Sequence, residues 1–121
     1  MSLESDVQAV IARLEQRVKV QMDGLIHAAY QQLVLNSPIR SGRFHANWKV
    51  GVNAVNGETT EATTPPPLTI PPYKLGDEVI LSNSLPYALA LEHGSSRQAP
   101  AGIAAVTAAE LQHGAITPLP L

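Results

Sequence analysis

The feature that most constrains this chain is an apolar repeat of helical period in its first 35 residues. Apolar side chains recur at three- and four-residue steps, at Leu3, Val7, Val10, Ile11, Leu14, Val18, Met22, Leu25, Ile26, Ala29 and Leu33. This spacing predicts one amphipathic helix over residues 3–35. Ser5 and Gln8 have the spacing of a capping box at its start, and Asn36 with Pro38 predicts its end.

The length of this helix implies that part of it projects from the body of the protein. About 30 residues with a rise of 1.5 Å each give a rod of roughly 45 Å. A compact chain of 121 residues has a diameter of about 35 Å. A projecting apolar stripe needs a partner, so we expect oligomerisation. The alternative is a break near Gly24, after which the helix folds back on its own core.

Two short strands are predicted after the helix, with a long loop between them. Alternating apolar and polar side chains predict a strand over residues 43–53, with Trp48 facing the core, and a second strand over 78–83. The intervening residues 54–76 hold five of the ten prolines and five of the seven threonines. Proline donates no hydrogen bond to a sheet, so we expect this segment to be a long mobile loop with too little burial to hold it.

The last part of the chain predicts two shorter helical segments. Residues 86–92 form a short helical turn closed by His93 and Gly94, and a polar loop follows. A second helix is expected to start around residues 100–102 and to stop at Gly114, and the tail over 115–121 is expected to fray. The whole pattern predicts a single α+β domain over residues 1–121, in which the two helices pack on one face of a small antiparallel sheet.

Composition excludes several classes of function. At 121 residues and 12.9 kDa the chain has room for one domain. Its net charge of −2 and pI near 6.0 argue against binding duplex nucleic acid, which requires a basic face. No apolar run approaches the roughly 20 residues that span a bilayer. The chain has no cysteine, which removes disulfides and thiolate chemistry and indicates a soluble protein of a reducing compartment.

Few residues suggest catalysis or a cofactor. The four histidines, His27, His45, His93 and His113, lack the spacing of metal ligands. The neighbours Glu92 and His93 leave open a small hydrolase, although adjacent helical residues point in different directions. The sequence has neither a nucleophile elbow nor a glycine-rich phosphate loop. We therefore expect no metal, no cofactor and no enzymatic activity.

One local basic cluster suggests a second alternative. Arg40, Arg43 and Lys49 lie close in sequence to Trp48, and basic residues beside an aromatic one are typical of proteins that bind single-stranded nucleic acid. A tryptophan on the apolar face of a strand is also typical of a core. The same cations can equally meet an acidic patch on a neighbouring subunit.

Three segments resemble motifs of one protein family. They are SGRF at 41–44 leading to NW at 47–48, SNSLPYA at 82–88, and LEHGSSRQAPAG at 91–102. Their order and spacing are similar to those of the tail-completion and neck proteins of tailed bacteriophages, a group of head-tail joining and minor tail proteins. The resemblance covers most of residues 37–107. The Pro/Thr-rich loop is the part that least resembles the family.

The resemblance implies a structural virion protein that acts without a cofactor. Proteins of this family form rings, commonly hexameric, at the head-proximal end of the tail. They contact the tail tube and the head connector, and they assemble in the cytoplasm of the bacterial host. The resemblance therefore implies self-association into a ring, while the composition argues against a membrane or nucleic-acid partner.

The candidate residues form two groups. Those expected at a subunit or partner interface are Arg40, Arg43, Lys49, Tyr87, Glu92, Ser96, Arg97 and Gln98. Those expected to build the fold are Gly42, Trp48, Asn83, Pro86, Gly94, Pro100 and Gly102.

Four of these residues have specific expected roles. Gly42 allows a turn into the strand, and Gly94 takes a positive φ after the short helix. Asn83 bonds to the backbone before Pro86. Tyr87 buries its ring and keeps its hydroxyl for a partner.

Overall fold

The computed structural model describes residues 2–94, 98 and 101–112. Its elements in chain order are helix α1 (Leu3–Asn36), strand β1 (Trp48–Val52), strand β2 (Val79–Asn83), helix α2 (Ala88–Glu92) and helix α3 (Ala104–Gln112). Strands β1 and β2 form an antiparallel sheet, with Val50 opposite Leu81. The predicted α+β class is confirmed: a long N-terminal helix and a short C-terminal helix accompany a small antiparallel sheet.

Helix α1 is a single unbroken helix. It continues through Gly24, so the alternative of a break there is wrong. The capping box predicted at Ser5 and Gln8 is also wrong, because Ser2 is the N-cap and its Oγ accepts a hydrogen bond from the Ser5 amide at 3.1 Å. At the other end the chain leaves the helix at Ser37, as Pro38 predicts.

The first half of α1 projects from the body of the protein. Every residue from Ser2 to Val18 is exposed, and the buried residues of the helix begin at Gly24 and continue to Leu33. The overhang predicted from the length of the helix is therefore confirmed, and the exposed half carries most of the apolar repeat described above.

The core lies where the second half of α1 meets the sheet and the start of α3. It consists of Tyr30, Leu33, Phe44, Trp48, Leu85 and Ile103. Trp48 meets the edge of the Phe44 ring, with centroids 5.8 Å apart, and its indole N–H donates to Ser37 Oγ at 2.8 Å. The expected core position of Trp48 is confirmed. Helix α3 packs on α1, where the Asn36 side chain donates to Thr107 and Glu110.

Two predicted starting points are wrong. The first strand begins at Trp48 rather than at residue 43, because residues 43–46 form a turn in which the Ala46 amide donates to the Gly42 carbonyl. Helix α3 begins at Ala104 rather than around 100–102, because Gly102 has a φ of +92°. Strand β2 and helix α2 lie where the sequence predicts them.

The Pro/Thr-rich loop contacts the body more than its sequence suggests. Residues 54–76 contain neither helix nor strand. The Thr60 amide donates to Asn47 Oδ1 at 2.8 Å, the Tyr30 hydroxyl donates to the Pro66 carbonyl at 3.0 Å, and Tyr73 is buried. The expectation of a loop without enough burial to hold it is therefore wrong at these points, and its mobility elsewhere stays a prediction.

Several predictions concern residues outside those the structure describes. They are the candidate residues Ser96, Arg97 and Pro100, His113, the helix stop at Gly114 and the fraying tail over 115–121.

Candidate interaction site

The three motif segments, 41–48, 82–88 and 91–102, meet at one groove on the protein surface. Its volume is about 560 Å³, and it is lined by Pro38, Arg40, Ser41, Gly42, Phe44, Tyr87, Leu91 and Gln98. The first segment contributes Gly42 and Phe44, the second contributes Tyr87, and the third contributes Leu91 and Gln98. The fold thus brings together motifs that lie up to 57 positions apart in the chain.

Gln98 holds one edge of this groove in place. Its side-chain amide pairs with the backbone of Ile39: Oε1 accepts from the amide at 2.8 Å, and Nε2 donates to the carbonyl at 3.2 Å. These two bonds satisfy the N–H and the C=O of Ile39 as a residue on a neighbouring strand would. Gln98 was predicted at an interface, and in the structure this amide positions the groove wall that carries Arg40.

Gly42 sets the turn at the floor of the groove. Its φ is +90°, and a Cβ atom at this position would lie 2.5 Å from the Thr63 carbonyl oxygen. Both the conformation and the close approach of the loop favour glycine here. The expected role of Gly42 in turning the chain is confirmed, and the same residue lets the Pro/Thr-rich loop lie against the turn.

Tyr87 lies at the rim of the groove. It precedes α2, it is 41% exposed, and its ring centroid is 6.2 Å from that of Phe44. The prediction that it buries its ring is wrong, because the ring tilts over Phe44 at the surface. An exposed aromatic ring beside the exposed Arg40 gives the rim the residue types that are enriched at protein interfaces.

The basic cluster does not act as one unit. The guanidinium of Arg43 forms an ion pair with Glu61 at 3.1 Å and donates to the Thr60 carbonyl, so it holds the Pro/Thr-rich loop. Lys49 is half-buried on β1, and Arg40 alone of the three lines the groove. Trp48 is 7% exposed, which leaves no ring face for stacking on a base.

Glu92, the last residue of α2, caps the N-terminus of α3. Its carboxylate accepts hydrogen bonds from the amides of Ala104 at 2.6 Å, Ile103 at 3.0 Å and Ala105 at 3.1 Å. Burial opposes ionisation of this carboxyl, but the three N–H donors and the nearby His93 outweigh it and lower its pKa. Glu92 was predicted at an interface, or as a catalytic acid beside His93. Here it ties α2 to α3.

Gly94, which lies two residues after Glu92, and Gly102, which precedes α3, both have positive φ. Gly94 has a φ of +87°, which confirms its prediction. At Gly102 a Cβ atom would lie 2.5 Å from Glu92 Oε2 and 2.7 Å from the Glu92 carbonyl oxygen. The glycine therefore allows the carboxylate to reach the helix end.

The prediction for Asn83 is confirmed, since its side chain accepts from the Leu85 amide and donates to the Phe44 carbonyl.

Sequence reasoning missed Asn47, which fastens the loop to the turn. Its side chain is fully buried: Oδ1 accepts from the Thr60 amide, and Nδ2 donates to the Arg43 carbonyl at 2.7 Å and to the Thr60 carbonyl at 3.1 Å. The apolar alternation predicts Asn47 on the polar face of a strand. Its only sequence signal was its place beside Trp48 in the family-like motif.

The comparisons with known proteins add no family. No family model, no curated protein and no solved structure matches the chain. Within residues 2–94, 98 and 101–112, no group of three His, Cys, Asp or Glu side chains is placed to hold a metal ion. Across the same residues no helix has both the length and the apolar character needed to cross a membrane.

Proposed function

We propose that this protein is a structural component of the tail or neck of a tailed bacteriophage. It forms a ring that completes the tail or joins it to the head, and it needs no cofactor. The observation that supports this proposal is the meeting of the three family-like segments at the groove lined by Gly42, Tyr87 and Gln98.

The chemistry of the groove suits a contact between subunits. Phe44, Leu91 and Pro38 supply an apolar floor, while Tyr87 and Arg40 lie at the rim. Aromatic and arginine side chains carry much of the binding energy of protein interfaces. A ring needs a head-to-tail contact, in which the groove of one subunit receives a different surface of the next. We propose that this second surface has an apolar residue for the floor and an acidic residue for Arg40.

The partners follow from this role. One face of the ring meets the tail tube and the other meets the head connector, so the protein acts in the virion and assembles in the bacterial cytoplasm. The nucleic-acid alternative relied on Arg40, Arg43, Lys49 and Trp48. Arg43 is paired with Glu61 of the loop and Trp48 is buried in the core, so neither supports it.

The test uses the phage or prophage that carries the gene. Disrupting the gene should yield filled heads and tails that do not join, as seen by electron microscopy, and a wild-type copy should restore infectious particles. Arg40→Glu and Tyr87→Ala should fold normally but fail to restore joining. Lys74→Glu, an exposed charge reversal outside the groove, is the matched control and should restore it. Infectious particles of normal form from the disrupted phage would overturn the proposal.

A further inference from the structure

The projecting half of α1 exposes an apolar stripe with no covering element among the described residues. The N-terminal stripe consists of Leu3, Val7, Val10, Ile11, Leu14 and Val18, whose side chains are between 46% and 81% exposed. These residues lie along one side of the helix. Because α1 is unbroken and its buried residues begin at Gly24, the body of the same chain does not cover this stripe.

We propose that the N-terminal stripe docks antiparallel against the same stripe of a second copy of this chain. The stripe is symmetric about its midpoint, between Val10 and Ile11. When two copies run antiparallel with Val10 of one opposite Ile11 of the other, Leu3 meets Val18 and Val7 meets Leu14. All six apolar residues then find an apolar partner, as a two-fold contact between identical surfaces requires.

The charges that flank the stripe also favour the antiparallel alignment. The acidic residues Glu4 and Asp6 lie at its start, and the basic residues Arg13, Arg17 and Lys19 lie toward its end. On one flank the antiparallel alignment places Asp6 between Arg13 and Arg17 of the second copy. On the other flank Glu4 comes between Glu15 and Lys19 of the second copy, one like and one opposite charge, so that flank is close to neutral. The alignment is thus attractive on the flank of Asp6.

A parallel alignment would lose this complementarity. It would turn the Asp6 flank of one copy toward the Glu4 flank of the other. The like pairs Glu4–Asp6 and Arg17–Lys19 would then offset the attraction of Glu15 for Arg13 and Arg17. The parallel alignment would also align the two helix dipoles, whereas the antiparallel pair opposes them. Charge therefore selects the antiparallel alignment as well as the partner.

The pairing is weak and stands apart from ring formation. Six side chains from each helix bury less than a standard interface of about 1,600 Å², so we expect association that depends on concentration. The pair uses no residue of the groove. It therefore concerns the free protein, and it does not depend on the proposed phage function.

Single cysteines test the alignment directly, because the chain has none of its own. In the antiparallel pair Val10 lies beside the two-fold axis, while the two copies of Leu3 are about 22 Å apart. A disulfide needs Cβ atoms about 4 Å apart. Under mild oxidation Val10→Cys should form covalent dimers, and Leu3→Cys and Val18→Cys should each stay monomeric. A mixture of Leu3→Cys with Val18→Cys should form the mixed dimer.

A cysteine placed outside the N-terminal stripe serves as the control. Ala9→Cys, exposed on the opposite side of the helix, should not cross-link. Dimers of Leu3→Cys that form faster than those of Val10→Cys would indicate a parallel pair and would overturn the proposal. Cross-linking of Val10→Cys no greater than that of Ala9→Cys at any protein concentration would also overturn it.

A charge exchange tests the role of the flanking charges in solution. In analytical ultracentrifugation Asp6→Lys should weaken dimerisation about threefold to tenfold. Combining it with Arg13→Glu and Arg17→Glu should restore dimerisation, because the exchanged flank is again complementary to itself. Circular dichroism checks that the helix persists in each variant. A triple variant that dimerises no better than Asp6→Lys would contradict the antiparallel arrangement.

Discussion

Glu92 links α2 to the N-terminus of α3 through its carboxylate. The contribution of its charge can therefore be measured as a change in the unfolding free energy. In Glu92→Gln an NH₂ group would replace one of the two oxygens that face the amides of Ile103, Ala104 and Ala105. We expect a loss of about 1–3 kcal/mol of unfolding free energy near pH 7, since the amides at the helix N-terminus lose a charged acceptor. Chemical denaturation measures the loss. Glu58→Gln, exposed in the loop, is the control and should stay within about 0.5 kcal/mol.

The same carboxylate predicts a pH dependence. Its folded pKa is lowered below the unfolded value of about 4.3. The charged form therefore stabilises the fold above that value, and the contribution is lost as the pH falls through the folded pKa. The stability difference between the wild type and Glu92→Gln should shrink on acidification below about pH 4. A difference that stays constant down to pH 3 would mean that the charge does not supply the cap.

Gly42 offers a second test at the level of one residue. A methyl group there would adopt a φ of +90° and meet the Thr63 carbonyl, so Gly42→Ala should cost about 1–3 kcal/mol. Gly57→Ala is a matched control, because a Cβ atom at Gly57 would meet only Ser84 Oγ, at 4.0 Å. Thermal unfolding of the two variants compares them. Equal melting temperatures would contradict the strain assigned to Gly42.

At the scale of elements, local patterns predict more than distant contacts do. Helix α1 and strand β2 follow from apolar spacing, which depends only on neighbouring residues. The starts of β1 and α3 could not be predicted in this way. The first depends on a turn around Gly42, and the second on a carboxylate from Glu92 that lies 11 residues before Ile103.

The candidate site was likewise predicted only in part from the sequence. The motif resemblance named Gly42, Tyr87 and Gln98, and the fold brings these three to one groove. It gave no reason to expect Tyr87 at the surface or Glu92 turned inward, because burial depends on how the segments pack. Asn47 was missed, because its partner Thr60 lies in a loop whose sequence has no periodic pattern.

The Pro/Thr-rich loop should be ordered where it is fastened. NMR relaxation should give the Thr60 amide, which donates to Asn47, and the buried Tyr73 order parameters close to those of residues 26–33 in α1. The exposed Thr69, which makes none of the contacts described above, should give a lower one. In Asn47→Ala the order at Thr60 should fall while that at Tyr73 stays, because Tyr73 is held separately by its hydrogen bond to Asp23.

A fall at both residues would mean that the loop orders as one unit. Uniformly low values from Thr60 to Tyr73 in the wild type would contradict the fastening.

At the scale of the whole molecule, the projecting half of α1 should be dispensable for the fold. Removing residues 2–18 deletes only exposed side chains, so the unfolding free energy should change by less than about 1 kcal/mol. The same truncation should abolish the dimer. Thermal unfolding and analytical ultracentrifugation measure the two effects on one sample. A truncated protein that fails to fold would show that the overhang supports the body.

The overhang also means that α1 opens in stages rather than all at once. Most helical stability in proteins comes from tertiary packing rather than from the helix itself, and residues 2–18 have no tertiary contacts that bury them. Their backbone should therefore open by fraying from Ser2, at a free energy well below that of global unfolding. Amide exchange should slow gradually along the helix and reach its slowest rates between Ile26 and Leu33, where the core encloses it. One continuous helix thus contains two regions that differ in local stability, and whatever covers the first half will remove that difference.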